Sequence, residues 1–185
     1  PDDREEYQQK TDLEYLKQQF AEQKEFVTIT YRVKEGTDYK TVTLEIELVS
    51  EQSDSIHVFY TNDKSVNFTD SKSFWTKVTG NKKNQKIKIN FPDSVKPKQI
   101  RFDFCRNIKQ NEVILNKINF IYKNKSFSAK GKEIFLLFRE DQTNTIIDKL
   151  NGSVKKKTPK QINEASLYPK GDKLYNKLCQ LYNEK

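Results

Sequence analysis

Between residues 27 and 138, run after run of the chain alternates apolar and polar residues at successive positions. Val27-Thr28-Ile29-Thr30-Tyr31-Arg32-Val33 and Val42-Thr43-Leu44-Glu45-Ile46-Glu47-Leu48 are the clearest runs. A period of two sends successive side chains to opposite faces of an extended strand, one face apolar and one polar. The same signature recurs at 56–60, 74–78, 87–91, 100–104, 113–122 and 133–138, with a short run at 127–129. Turns rich in Asn, Asp, Lys, Gly and Pro separate these runs. Eight or nine strands at such spacing predict an antiparallel β-sandwich of the jelly-roll kind. No strand–helix–strand alternation is visible, which argues against a parallel sheet. The inward set predicted by parity is Val42, Leu44, Ile46, Leu48, Ile87, Ile89, Phe91, Ile100, Phe102, Phe104, Ile118 and Phe120.

Residue usage agrees. The 185 residues include 37 Ile, Val and Thr and 22 aromatic residues but only 3 Ala, a balance suited to half-buried pleated surfaces. Leu, Ile, Val and Phe number 48, enough to build a core.

Helical periodicity is confined to the two ends. Leu13, Leu16 and Phe20 form a narrow stripe in an acidic N-terminal segment, predicting a helix over about residues 1–24. Leu174, Leu178, Leu181 and Tyr182 repeat at i, i+4, i+7 and i+8 after Gly171-Asp172, predicting a short C-terminal helix. The sandwich is expected over 25–138. Residues 139–170 show no sustained period and read as an irregular basic tail packed on it. The chain starts at Pro1, contains no methionine and has no apolar run long enough to span a bilayer, so it reads as an excised part of a longer protein.

Several chemistries are disfavoured. Glu45, Glu47 and Asp103 are carboxylates of a kind that a glycosidase pairs across a cleft. They share outward parity with Lys86, Lys88 and Arg101, the pattern of a solvated face with cross-strand ion pairs. His57 is the only histidine, so no His-based metal triad is available. Cys105 and Cys179 lack metal or redox spacing; in an oxidising compartment they could pair, but two isolated thiols, Cys105 the more buried, is the favoured reading. The Asn-x-Ser/Thr triplets at Asn67, Asn124 and Asn151 are no more than chance supplies. No catalytic residue and no cofactor is expected.

Charge is unevenly spread. Residues 1–60 carry 14 acids and 7 bases, whereas residues 61–185 carry 12 acids and 27 bases. Lys82, Lys83 and Lys155-Lys156-Lys157 would be the contacts of a polyanion-binding reading. However, 29 of the 34 bases are lysine, whereas bidentate phosphate recognition favours arginine, so nucleic acid is not the expected partner.

The segment from Phe59 to Trp75 mixes aromatic rings with amides, hydroxyls and carboxylates. Tyr60, Asn62, Asp63, Phe68, Asp70 and Trp75 are the candidate ligand-binding residues: aromatic faces suit the apolar side of a pyranose, and Asn and Asp suit its hydroxyls. The competing assignment puts these rings in the core or at the sandwich edge. Asn62, Asp63 and Asp70 also offer oxygens of the type that Ca²⁺ takes, at a spacing that does not identify a site.

The runs Ser55-Ile56-His57-Val58-Phe59-Tyr60, Phe68-Thr69-Asp70 with Ser73, Ile87-Lys88-Ile89-Asn90-Phe91-Pro92 and Ile100-Arg101-Phe102-Asp103-Phe104 resemble a bacterial pattern. It is similar to galactose-binding-like β-sandwich domains attached to membrane-bound or surface-polysaccharide glycosyltransferases, over about residues 41–140. The resemblance implies an accessory, non-catalytic, extracytoplasmic module tethered to the rest of a membrane or envelope protein, with a glycan as ligand. There is no DxD triplet and no glycine-rich phosphate loop. A structural protein-interaction domain without a small ligand is the alternative.

Overall fold

The structure, a computed structural model, describes residues 41–184. The helix expected over 1–24 and the strand expected over 27–33 lie outside the described residues.

The described residues form eleven strands: β1 (Thr43–Ser50), β2 (Asp54–Thr61), β3 (Ser73–Val78), β4 (Asn84–Asn90), β5 (Gln99–Phe104), β6 (Glu112–Tyr122), β7 (Lys125–Lys130), β8 (Phe138–Glu140), β9 (Thr145–Asp148), β10 (Ser153–Lys156) and β11 (Ala165–Pro169). They form two antiparallel sheets. The first runs β4-β1-β6-β10-β9, with β7 also paired to β6; the second runs β3-β2-β5-β11-β8. Side chains from both sheets meet in one apolar cluster, so the arrangement is sandwich-like. All twelve residues predicted to point inward are buried.

One irregularity keeps the long strand β6 in phase with the core. The pairing register shifts between Glu47 and Leu48, which face Lys117 and Leu115, leaving Asn116 as an extra residue. This bulge lets Val113, Leu115, Ile118 and Phe120 all face inward although their spacing breaks strict alternation.

Two expectations are corrected. Residues 139–170 are not irregular: β9 and β10 extend the first sheet, and β11 sits inside the second between β5 and β8. These strands have only four or five residues, too few for a period to emerge. The run 133–138, expected as a strand, is mostly a single helical turn, α1 (Ile134–Leu137), and only Phe138 begins β8. Its buried Ile134, Phe135 and Leu137 make an apolar run that alternation alone cannot assign to strand or helix.

The C-terminal helix α2 (Lys173–Tyr182) forms where expected and buries Leu174, Leu178, Leu181 and Tyr182. The Tyr182 hydroxyl donates to the Pro97 carbonyl at 2.9 Å, and beyond the helix Glu184 meets Lys96 at 3.0 Å and Lys98 at 2.7 Å. Hydrogen bonds from Lys98 and Lys96 hold the Glu184 carboxyl below the usual carboxylate range. A carboxylate with a depressed folded-state pKa stabilises above its unfolded pKa, and that contribution is lost as pH falls through the folded value. Thermal melts of the protein and of Glu184→Gln should therefore differ at neutral pH and converge as the pH falls below about 4. An unchanged difference across that range would show that the contact does not titrate with folding.

Cys105 and Cys179 are both buried and both free. Burial pushes the Cys105 thiol far above its usual value, which makes it a poor nucleophile.

A candidate binding face on the second sheet

In β2, Ile56, Val58 and Tyr60 face the core, so the outward positions are Ser55, His57, Phe59 and Thr61. Phe59 is nevertheless buried. A strand with large rings on both faces needs cover on its outer side, and that cover is the candidate site.

Cross-strand pairing places His57 opposite Trp75 of β3 and opposite Asp103 of β5, and Phe59 opposite Arg101. Ser166 of β11 pairs with Asp103, and Tyr168 pairs with Arg139 of β8. These residues stack in a continuous ladder. The Arg106 guanidinium lies 4.1 Å from the Trp75 ring centre, Trp75 and His57 are 3.9 Å apart and nearly parallel, and His57 and Phe59 are also 3.9 Å apart. Arg101 then lies 4.7 Å from Phe59 and 4.8 Å from Tyr168, and Arg139 ends the series 5.5 Å from Tyr168. Every strand of the sheet contributes a member. With strands about 4.8 Å apart, the ladder spans roughly 19 Å across the sheet.

Its groups are held from several directions. Arg101 is fixed by a two-pronged pair with Asp103, Nε to Oδ1 at 2.8 Å and Nη2 to Oδ2 at 2.7 Å. The His57 Nε2 lies 2.8 Å from the Ser73 hydroxyl, and that hydroxyl gives its one proton to the Asp70 carbonyl. Nε2 must then be the donor, which fixes the tautomer. Burial between rings lowers the His57 pKa below the ordinary imidazole value, against the pull of the Asp103 and Asp70 carboxylates. Burial likewise raises the Tyr168 hydroxyl pKa, with Arg101 opposing.

The six residues singled out from the sequence are only partly brought together. Trp75 is exposed at one end of the ladder, and Phe68 joins its middle by edge-on contacts with Phe59 at 6.5 Å and Tyr168 at 6.1 Å. Asp70 follows Phe68 on the same loop and accepts from Ser73 through its carbonyl. Tyr60 is on the other side of the sheet, its ring packed in the core against Phe91 and Phe74, because its parity is that of Ile56 and Val58. Asn62 is exposed, and Asp63 accepts from the Ser65 amide within its own turn. The neighbouring Lys64 pairs with Asp172 at the start of α2. Among the described residues no group of three or more His, Cys, Asp or Glu side chains is placed to hold a metal ion.

Trp75 also differs from the sugar platform expected of it. His57 and Arg106 each lie about 4 Å over its ring centre, and two such groups cannot share one face, so the indole is sandwiched and presents its edge. Phe68 meets its neighbouring rings, Phe59 and Tyr168, only at steep angles, and no described ring stacks on it in parallel.

The residues missed by sequence reasoning are Phe59, Arg101, Arg106, Arg139 and Tyr168. One signal was available: arginine is scarce in this lysine-rich chain, and all three arginines among the described residues lie on this face. The lysines named for polyanion binding are largely engaged elsewhere. Lys82 pairs with Glu51, Lys156 is buried against the Asn107 carbonyl, and Lys157 donates to the Gln142 carbonyl. Asp103 lies on the second sheet, whereas Glu45 and Glu47 lie on the first and share Lys86, so the three do not form one carboxylate cluster.

An open hollow of about 600 Å³ adjoins the Arg106 end of the ladder, lined by Ser55, Lys77, Thr79, Arg106 and Asn107 among others. Asp54 also lines it, but its Oδ1 accepts from the amides of Ser55 and Asn107 and its Oδ2 is buried. Burial raises the Asp54 pKa.

Comparison with family models, with curated proteins and with solved structures finds no match to this chain.

Proposed function

We propose that the protein is a non-catalytic β-sandwich module that binds a glycan across the outer face of its second sheet. The observation that carries this reading is the joining of the ladder to the loop Phe68-Thr69-Asp70-Ser71. There an aromatic ring with no parallel stacking partner adjoins exposed hydroxyls and a carboxylate, beside a stripe that crosses five strands. Apolar sugar faces pack on rings while their hydroxyls take polar partners, and loops on a rigid scaffold are where such contacts are commonly built. The galactose-binding-like resemblance supports the same reading. It also supports an extracytoplasmic module carried by a bacterial membrane or envelope protein. No helix among the described residues is long and apolar enough to cross a membrane.

Affinity should be modest, because an open face offsets only part of the cost of association, which is about 4–15 kcal/mol. Titration with bacterial envelope oligosaccharides should change the fluorescence of Trp75, the sole tryptophan. Phe68→Ala should abolish binding while leaving the melting transition cooperative. If no glycan perturbs Trp75 or the resonances of the Phe68 loop in a folded sample, the face passes to a protein partner.

A further inference from the structure

We infer, resting on the glycan reading above, that the ligand of this face is an anionic glycan, one carrying carboxylate or phosphate groups, held at both ends of the ladder by Arg106 and Arg139. Three observations lead there. First, the ladder consumes its own faces. Trp75 lies between His57 and Arg106, and both Arg101 and Arg139 lie over Tyr168. What remains for a ligand is ring edges and guanidinium N–H groups. Ring edges carry the positive part of the aromatic quadrupole, so the stripe as a whole attracts electron-rich groups.

Second, the two terminal arginines differ from the central one. Arg101 is neutralised by Asp103, whereas among the described residues no ion pair reaches Arg106 or Arg139, and both are exposed. Arg139 gives one Nη1 donor to the Glu140 carbonyl at 3.2 Å, and the remaining guanidinium N–H groups of the two residues suit the two oxygens of a carboxylate or phosphate. Third, the open hollow lies at the Arg106 end and is also lined by Lys77, which brings a second cation to that terminus. A linear ligand laid across the strands therefore meets cations at each end, with the Phe68 ring beside the middle.

The same geometry disfavours single-stranded nucleic acid, whose bases bind by stacking on open aromatic faces. Those faces, Phe68 apart, are occupied here.

The test measures binding to the intact protein by calorimetry at low and at physiological salt. The probes are oligogalacturonate for carboxylate, dextran phosphate for phosphate, unmodified dextran as the neutral glycan and polyglutamate as an anion without sugar. The expected result is that at least one anionic glycan binds roughly tenfold or more tightly than neutral dextran, with affinity falling as salt rises. Which of the two binds identifies the source of the charge. The double variant Arg106→Gln/Arg139→Gln should lose that preference for the anionic glycan over neutral dextran.

Equal binding of dextran and of both anionic glycans would overturn the inference and leave the glycan reading standing. Binding of no glycan at all would overturn both. Polyglutamate binding as tightly as the anionic glycans would show that charge alone is read, which also overturns both. A double variant that is folded, as judged by its unchanged melting curve, and keeps the preference would overturn the roles given to the two arginines.

Discussion

Phe102→Ala should cost about 3–5 kcal/mol of folding stability, measured as a fall in the denaturant midpoint with little change in slope. Phe102 is fully buried on β5, the central strand of the second sheet. Its ring packs 5.7 Å from Phe104 and 5.3 Å from Phe138, so truncation opens a cavity between sequence-distant elements. Close-packed neighbours relax only partly into such a void, and the lost contacts add to the lost burial. Because β5 is paired on both edges, by β2 and β11, it has little freedom to shift and fill the gap. A loss below about 1 kcal/mol would mean that the strand presents its other face to the core, since a register slip of one residue exchanges the two.

Arg101→Met should be nearly as damaging, at about 3–5 kcal/mol, although the residue is on the outer face. The reason is Asp103. Its side chain is 6 % exposed, and both of its oxygens are taken by the Arg101 guanidinium. Removing the cation leaves a buried carboxylate unpaired, which costs more than the pair itself contributes. Methionine keeps most of the packing between Phe59 and Tyr168, so the loss reports mainly on charge. The double variant Arg101→Met/Asp103→Leu should recover much of the stability. Failure to recover would show that the guanidinium acts instead as the plate between two rings. Either result concerns the middle of the ladder and leaves Arg106 and Arg139 untouched.

Much of the first sheet was legible because its signal is local. Val42 to Leu48 and Ile87 to Phe91 alternate cleanly, and alternation is a direct image of one buried and one solvated face. The second sheet was harder to read for the opposite reason. Val58-Phe59-Tyr60 is apolar without interruption because both faces of β2 are covered, the inner by the core and the outer by the ladder. The sequence therefore did not separate Tyr60, which faces inward, from Phe59, which faces out. The strands β9, β10 and β11 escaped detection because each has only four or five residues; β9 pairs with its neighbour β10, while β10 and β11 join their sheets through β6 and β5, far along the chain.

By itself the sequence determined the class of fold, the inward faces of the longer strands and the C-terminal helix. Each of these is a periodic pattern that burial imposes on neighbouring residues. Only the tertiary structure decided that residues about 100 positions apart, from Phe59 to Tyr168, become one surface. Antiparallel pairing across five strands sets residues side by side according to register, and register is fixed by turns, by the core packing of the opposite face and by β11 entering between β5 and β8. The scarcity of arginine was visible from the start; that every arginine among the described residues would converge on one set of rings was not, because no local rule connects Arg101, Arg106 and Arg139.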